Sequence, residues 1–169
     1  MSFTQFSLRN GDAARTVRKS VTVKRPRVDA FSMFTEQIGS WWPLQGAFSF
    51  GGERAKEIHL ERRKGGRFYE RFTDGEEYVV GRVTPCEPPH RIVFTWENPD
   101  WEGRTEVEVR FAAEGKATRV ELEHRGWEVG RVTTADGISR WTNTPPQPER
   151  GEKMLRAWVV SLFRVGARS

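Results

Sequence analysis

Along residues 16–24 apolar and polar positions alternate, with Val17, Val21 and Val23 on one side and Arg18, Ser20 and Thr22 on the other. A period of two predicts a β-strand, and Pro26 ends it. From Arg27 the spacing of Val28, Phe31, Met33 and Phe34 predicts a short helix. Asp29 falls in its first turn, where a carboxylate complements the helix dipole. Ile38 opens a second short helical piece that stops at Pro43. The period of two then returns six times. Residues 55–62 turn Ile58 and Leu60 inward, and 67–72 turn Phe68 and Phe72 inward with Glu70 between them. Strands follow over 77–83 and over 91–96, the second with Ile92, Phe94 and Trp96 on one face. Residues 105–111 place Val107, Val109 and Phe111 inward, and 118–124 place Val120, Leu122 and His124 inward. Turn residues separate them, including Lys64-Gly65-Gly66, Thr73-Asp74-Gly75, the prolines of 85–89, and Glu114-Gly115-Lys116.

The tail changes period. Met154, Leu155, Trp158, Val159, Leu162 and Phe163 recur at helical spacing, and Pro145, Pro146 and Pro148 precede that helix because proline cannot sit in its interior. The predicted class is therefore α+β. Seven antiparallel strands form a curved sheet wrapped round one long C-terminal helix, with two short helices after the first strand. Sheet and helix each have one apolar face and need each other. Residues 1–15 show little periodicity and are expected to form a flexible arm. Residues 16–165 are expected to form a single domain. Between the last strand and the helix, 125–144 carry few core signals, and a connection that long is often functional.

Composition narrows the function. The chain has 169 residues, 28 basic and 23 acidic, a net charge of +5, and one cysteine. Most basic residues alternate with acids along the strands, which makes a solvated mixed-charge face and argues against a nucleic-acid partner. A single cysteine, Cys86, excludes an internal disulfide. No run is long enough to span a membrane and the N-terminus does not read as a secretory signal, so a cytoplasmic protein is expected.

The three histidines, His59, His90 and His124, form no ligand motif with cysteine or glutamate, so neither a metal nor any other cofactor is expected. Cys86 has no recognisable nucleophile setting. Two polar residues stand out, because the alternation turns Glu70 and His124 toward the apolar side. There they need partners or water, and they could orient a ligand or act as acid and base. The stretch GSWWPLQGAFSFGG, residues 39–52, raises a different question. It holds Trp41, Trp42, Phe48 and Phe50 in a setting too broken by glycine and proline for a long helix. Such rings are good core and good pocket wall.

Several motifs together resemble the helix-grip superfamily that includes START domains, the birch pollen allergen and polyketide cyclases. They are IGSWWP (38–43), KGGRFYER (64–71), DGEEYVVGRV (74–83), PPHRIVFTW (88–96), the strand at 118–122, and HRGWE (124–128). Within that superfamily the chain is most similar to the bacterial relatives of the activator of Hsp90 ATPase. Two departures stand out: Phe48 and Phe50 where relatives often carry a histidine, and Glu152 after Gly151 where relatives often have tryptophan. The resemblance implies the fold outlined above, and with it a space between sheet and helix. The leading expectation is a binder of a small, largely apolar or aromatic molecule. Its candidate ligand-binding residues are Trp41, Trp42, Phe48, Phe50, Phe68, Glu70, Trp96, His124, Trp127 and Trp158. The alternatives are an accessory to a chaperone or another protein partner, and a cyclase- or hydrolase-type enzyme on an aromatic or polyketide-like substrate. The reading leans against an enzyme. It leaves monomer and homodimer both open.

Overall fold

The computed structural model describes residues 16–44, 49–97, 105–126, 131–133, 139–141 and 148–166. Residues 1–15, with the expected arm, lie outside that set. The first strand, β1 (Val17–Val23), leads into α1 (Arg27–Phe34) and a single 3-10 turn at Ile38–Ser40. A second 3-10 turn, Gly52–Arg54, opens the meander β2 (Ala55–Leu60), β3 (Arg67–Phe72), β4 (Glu77–Glu87), β5 (Arg91–Trp96), β6 (Thr105–Glu114) and β7 (Ala117–Arg125). A short hairpin follows, β8 (Arg131–Thr133) with β9 (Ser139–Trp141), and the chain ends in α2 (Pro148–Gly166).

The main sheet has seven strands in the order β1-β7-β6-β5-β4-β3-β2, and every neighbouring pair is antiparallel. The meander runs outward from β7 to β2, and β1 adds to its far side, from Val17 opposite His124 to Val23 opposite Thr118. Register shifts interrupt β2 at Ala55/Glu57, β3 at Phe68/Tyr69 and β4 at Val83/Cys86. Each such irregularity bends its strand, so the sheet curves into a half-barrel. Gly81 lies opposite Phe68 on β4, at the close approach this requires. A Cβ there would lie 1.8 Å from the Thr95 carbonyl oxygen.

The apolar face of this half-barrel carries Ile58, Leu60, Phe68, Ile92, Phe94, Trp96, Val107, Val109, Phe111, Val120 and Leu122, all buried. Helix α2 lies against β1 and buries Met154, Leu155, Trp158 and Leu162. Helix α1 packs Phe31 and Phe34 on Phe111, with ring centroids 5.1 and 5.8 Å apart. The fold is the helix-grip arrangement, a curved antiparallel sheet with helices after its first strand and a C-terminal helix.

Local details depart from the pattern. Strand β4 does not stop at Val83 but runs through Pro85 and Cys86 to Glu87, because the register shift before Cys86 admits a residue that cannot donate to the ladder. The second helical piece is one 3-10 turn. Val28 and Phe163, counted in the helical stripes, are 65% and 58% exposed. At 100° per residue each falls outside the arc of its helix that carries the buried residues. Within 125–144, where little structure is expected, β8 and β9 pair across three residue pairs. Among the described residues no helix is long and apolar enough to cross a membrane.

Candidate functional site

Sheet and α2 enclose an apolar, aromatic-walled interior suited to a small apolar or aromatic ligand. Its rings arrive from separate elements. Trp41 and Trp42 follow the 3-10 turn, whose backbone bonds hold both residues: each N–H donates to the Ile38 carbonyl, at 3.3 and 3.0 Å. Phe68 projects inward from β3, Trp96 from the end of β5, and Trp158 from the middle of α2. Trp42 is central. Its ring lies 4.6 Å from Trp158, 5.4 Å from Phe68 and 6.0 Å from Trp96, centroid to centroid. Trp96 lies 5.8 Å from Trp158 and 5.6 Å from Phe68. These spacings are the contact range of aromatic pairs. Phe50 adds an outer ring, half-buried, 4.7 Å from Tyr78 and 5.9 Å from Trp96. Phe48 and Trp127, also candidates, lie outside the described residues.

The two inward polar residues have different settings. Glu70 is fully buried. Its carboxylate accepts hydrogen bonds from the Ser49 hydroxyl at 3.0 Å, the Phe50 amide at 3.1 Å and the Gly51 amide at 3.0 Å. Three donors on three successive residues meet one carboxylate, so Glu70 ties the loop before β2 to strand β3 and sets where Phe50 lies. Gly51 is required there by space, since a Cβ would come within 2.5 Å of the Phe72 ring. A carboxylate that accepts from three donors ties the two segments together.

His124 is also fully buried, near the end of β7. Its Nε2 and the Thr105 hydroxyl are hydrogen-bonded at 2.6 Å, and that hydroxyl donates to the Trp96 carbonyl at 3.2 Å. The imidazole stands 6.4 Å from the Trp96 ring. Burial pushes its pKa down to about 3, because a charged ring would lose its hydration. His124 is therefore neutral at pH 7, with one donor and one acceptor nitrogen. Thr105 is the residue the sequence pattern passed over. Its signal was its place opposite Trp96 on the neighbouring strand, legible once the β5–β6 register is known.

The opposite face of the same strands is charged. A cavity of about 490 Å³ lies there, against β1, β7 and β6, with Arg18, Arg110, Arg119, Glu108, Glu121 and Glu123 in its walls. Those side chains are already paired: Arg18 with Glu123 at 3.0 Å, Arg110 with Glu108 at 2.8 Å and Arg119 with Glu121 at 3.2 Å. The chemistry of interest lies inside, because the buried polar network and the aromatic rings lie there. His59, on the polar side of β2, stacks on Tyr69 at 5.1 Å and bonds Glu57 at 2.9 Å. The half-buried Cys86 thiol is pushed above its usual pKa by burial, which makes it less of a nucleophile. Among the described residues no three histidine, cysteine or acidic side chains converge as a metal site.

A model of the family described as activator of Hsp90 ATPase homolog 1-like protein matches residues 24–148. The chain belongs to this family. No curated protein sequence matches it. Among solved structures, CalU16 from Micromonospora echinospora is 19% identical over 90% of this chain and 76% of its own, with a TM-score of 0.58. DynU16, a protein of the dynemicin biosynthetic locus, is 16% identical over 89% of this chain, with a TM-score of 0.59, and this chain spans 46% of it. Txn09, an anthrahydroquino-gamma-pyrone synthase, is 36% identical over 65% of this chain and 75% of its own, with a TM-score of 0.48. The expectation that leaned against an enzyme is corrected here. DynU16, a protein of a biosynthetic locus, shares this fold, so the fold is no ground for setting catalysis aside.

Proposed function

We propose that this protein is an enzyme of small-molecule chemistry, which holds an aromatic, polyketide-like substrate between the sheet and α2 and closes a ring in it. One observation carries the reading. A fully buried, neutral imidazole, His124, is held by the Thr105 hydroxyl beside the aromatic rings of the interior. A buried hydrogen-bonded pair in an otherwise aromatic core adds little to stability that apolar residues would not supply. A neutral imidazole offers one nitrogen that donates and one that accepts a proton, beside rings that exclude water. In ring closure of an aromatic 1,3-diketone, the oxygen of a phenol bonds to the ketone carbon. The phenol proton passes to the imidazole, which returns it to the former ketone oxygen and leaves a hydroxyl on that carbon. The imidazole then takes a proton from the adjacent carbon and delivers it to that hydroxyl, which leaves as water as the carbon–carbon double bond forms. A ring that starts neutral can accept first and donate second. The rings of Trp42, Phe68, Trp96 and Trp158 would hold the substrate flat and exclude water.

The test uses 1-(2-hydroxyphenyl)butane-1,3-dione, which closes to 2-methylchromone with loss of one water and can be followed by absorbance. The wild-type protein should accelerate closure over buffer. His124→Gln should lose about 100-fold, the lower end of the usual contribution of a general acid–base group, while keeping its circular dichroism spectrum. Rates no faster than buffer across a panel of such diketones, or equal rates in the two proteins, would overturn the proposal. A chaperone-accessory role has no comparable support. The large apolar side chains exposed among the described residues, Val28, Val79, Val160 and Phe163, lie on three separate elements.

A further inference from the structure

Three tryptophans in mutual contact treat their indole N–H groups differently. Trp41 Nε1 donates to the Met33 carbonyl at 3.0 Å. Trp42 Nε1 and Trp158 Nε1 are buried and have no hydrogen-bond partner among the described residues. Their rings are 4.6 Å apart, centroid to centroid, and both flank Trp96, the ring beside His124. Buried polar groups are nearly always paired, and one left without a partner costs more than the bond it forgoes. Two such donors in one ring cluster, next to a third whose donor is satisfied by the chain itself, are not explained by packing. Phenylalanine or leucine would fill comparable space without either penalty.

We infer that the interior receives a molecule with a neutral acceptor oxygen, a ketone or quinone carbonyl on an aromatic frame, and that the indole N–H groups of Trp42 and Trp158 donate to it. The inference rests on the reading of the interior as a binding site for aromatic molecules, and it adds which substrate class is selected. Both donors are borne by aromatic rings, so the acceptor must be presented from a frame that packs against rings. A carboxylate or phosphate is disfavoured, because no lysine or arginine is among the buried residues described and an anion without a counter-charge is expensive to bury. A hydrocarbon of the same shape would fill the space and leave both donors unpaired. Trp42 and Trp158 are thus specificity-determining residues, selecting oxygenated aromatics over plain ones.

The test compares 9-fluorenone with fluorene, which share a tricyclic frame and differ by one carbonyl oxygen. Fluorenone should bind at least about 10-fold more tightly, the scale of one to two good hydrogen bonds. In ¹⁵N–¹H spectra of the wild-type protein the indole resonances of Trp42 and Trp158 should move downfield with fluorenone and not with fluorene. Trp42→Phe and Trp158→Phe, which keep a ring and remove the donor, should each lower fluorenone affinity several-fold and leave fluorene affinity nearly unchanged. The wild-type spectra decide the matter if either variant fails to fold. Equal affinities with no downfield movement would overturn the inference and leave the aromatic-binding reading standing. Failure of both molecules to bind would overturn the two together.

Discussion

The two faces of strands β6 and β7 are built from the same chain segments and behave as two different materials. Inward, Val107, Val109, Phe111, Val120, Leu122 and His124 are buried. Outward, Glu106, Glu108, Arg110, Arg119, Glu121, Glu123 and Arg125 form a lattice of ion pairs. Inside, each polar group answers to one or a few fixed partners in a low-dielectric setting. Outside, Glu108, Glu123 and Arg125 each have more than one charged partner. Arg125 alone contacts Glu106, Glu108 and Glu123. The difference shows that interaction count is a poor guide to energy. Many surface pairs add little individually, while one buried aromatic ring adds much.

Glu108 marks the boundary between the two. Its side chain is only 2% exposed although it points outward, because Arg91, Arg110 and Arg125 crowd over it. Burial works to raise its pKa, and hydrogen bonds from Arg125 and Arg91 outweigh that, so its carboxyl stays below the usual carboxylate range. The three arginine side chains remain 30–51% exposed, so they keep contact with water even as the carboxylate loses its own.

The largest effect expected from this contrast is at Trp158. Trp158→Ala removes a fully buried ring that touches Trp41, Trp42 and Trp96. It should destabilise the protein by about 3–5 kcal/mol, as large-to-small aromatic changes in cores do. Denaturant titration checks this, and a loss under 1 kcal/mol would mean that the interior tolerates the void.

A pH dependence should come next in size. The pKa of His124 is near its ordinary 6.5 in the unfolded chain and about 3 in the fold. The unfolded state therefore binds a proton that the native state refuses. Stability is unaffected by this group above pH 6.5 and falls as pH drops from 6.5 toward 3, by a few kcal/mol in all. His124→Phe should flatten that part of the profile relative to wild type. Parallel profiles between pH 6.5 and 4 would show that the imidazole is charged in the native protein.

The smallest effect belongs to the outer face. Arg119 and Glu121 lie 3.2 Å apart and are 49% and 44% exposed. Arg119→Ala should cost less than about 0.5 kcal/mol. A cost near that of Trp158→Ala would erase the distinction between the faces.

How legible the site was from sequence follows the same division. Alternation turned Glu70 and His124 inward, and both are fully buried. Alternation could not separate their roles. Glu70 is tied up by the Ser49 hydroxyl and the Phe50 and Gly51 amides, about twenty residues away, and no period of two reports on that loop. His124 meets Thr105 because β6 and β7 pair in one register, which places Val107 opposite His124. Trp42 and Trp158 look alike in sequence to Trp41, whose N–H is satisfied by the Met33 carbonyl. Only their relative orientation separates them.

The sequence by itself determined the order of elements, the seven-stranded class of the sheet and the apolar stripe of α2. Those depend on local periodicity, and a period of two or of 3.6 is carried by neighbouring residues alone. Tertiary structure decided the rest: that β4 runs on through Pro85, that Phe163 is exposed, which carboxylate holds a loop and which imidazole lies beside Trp96. These outcomes depend on register, curvature and the meeting of side chains far apart in the chain. A shift of one residue in a strand would have reversed each face, and only the completed packing of sheet on helix excludes that shift.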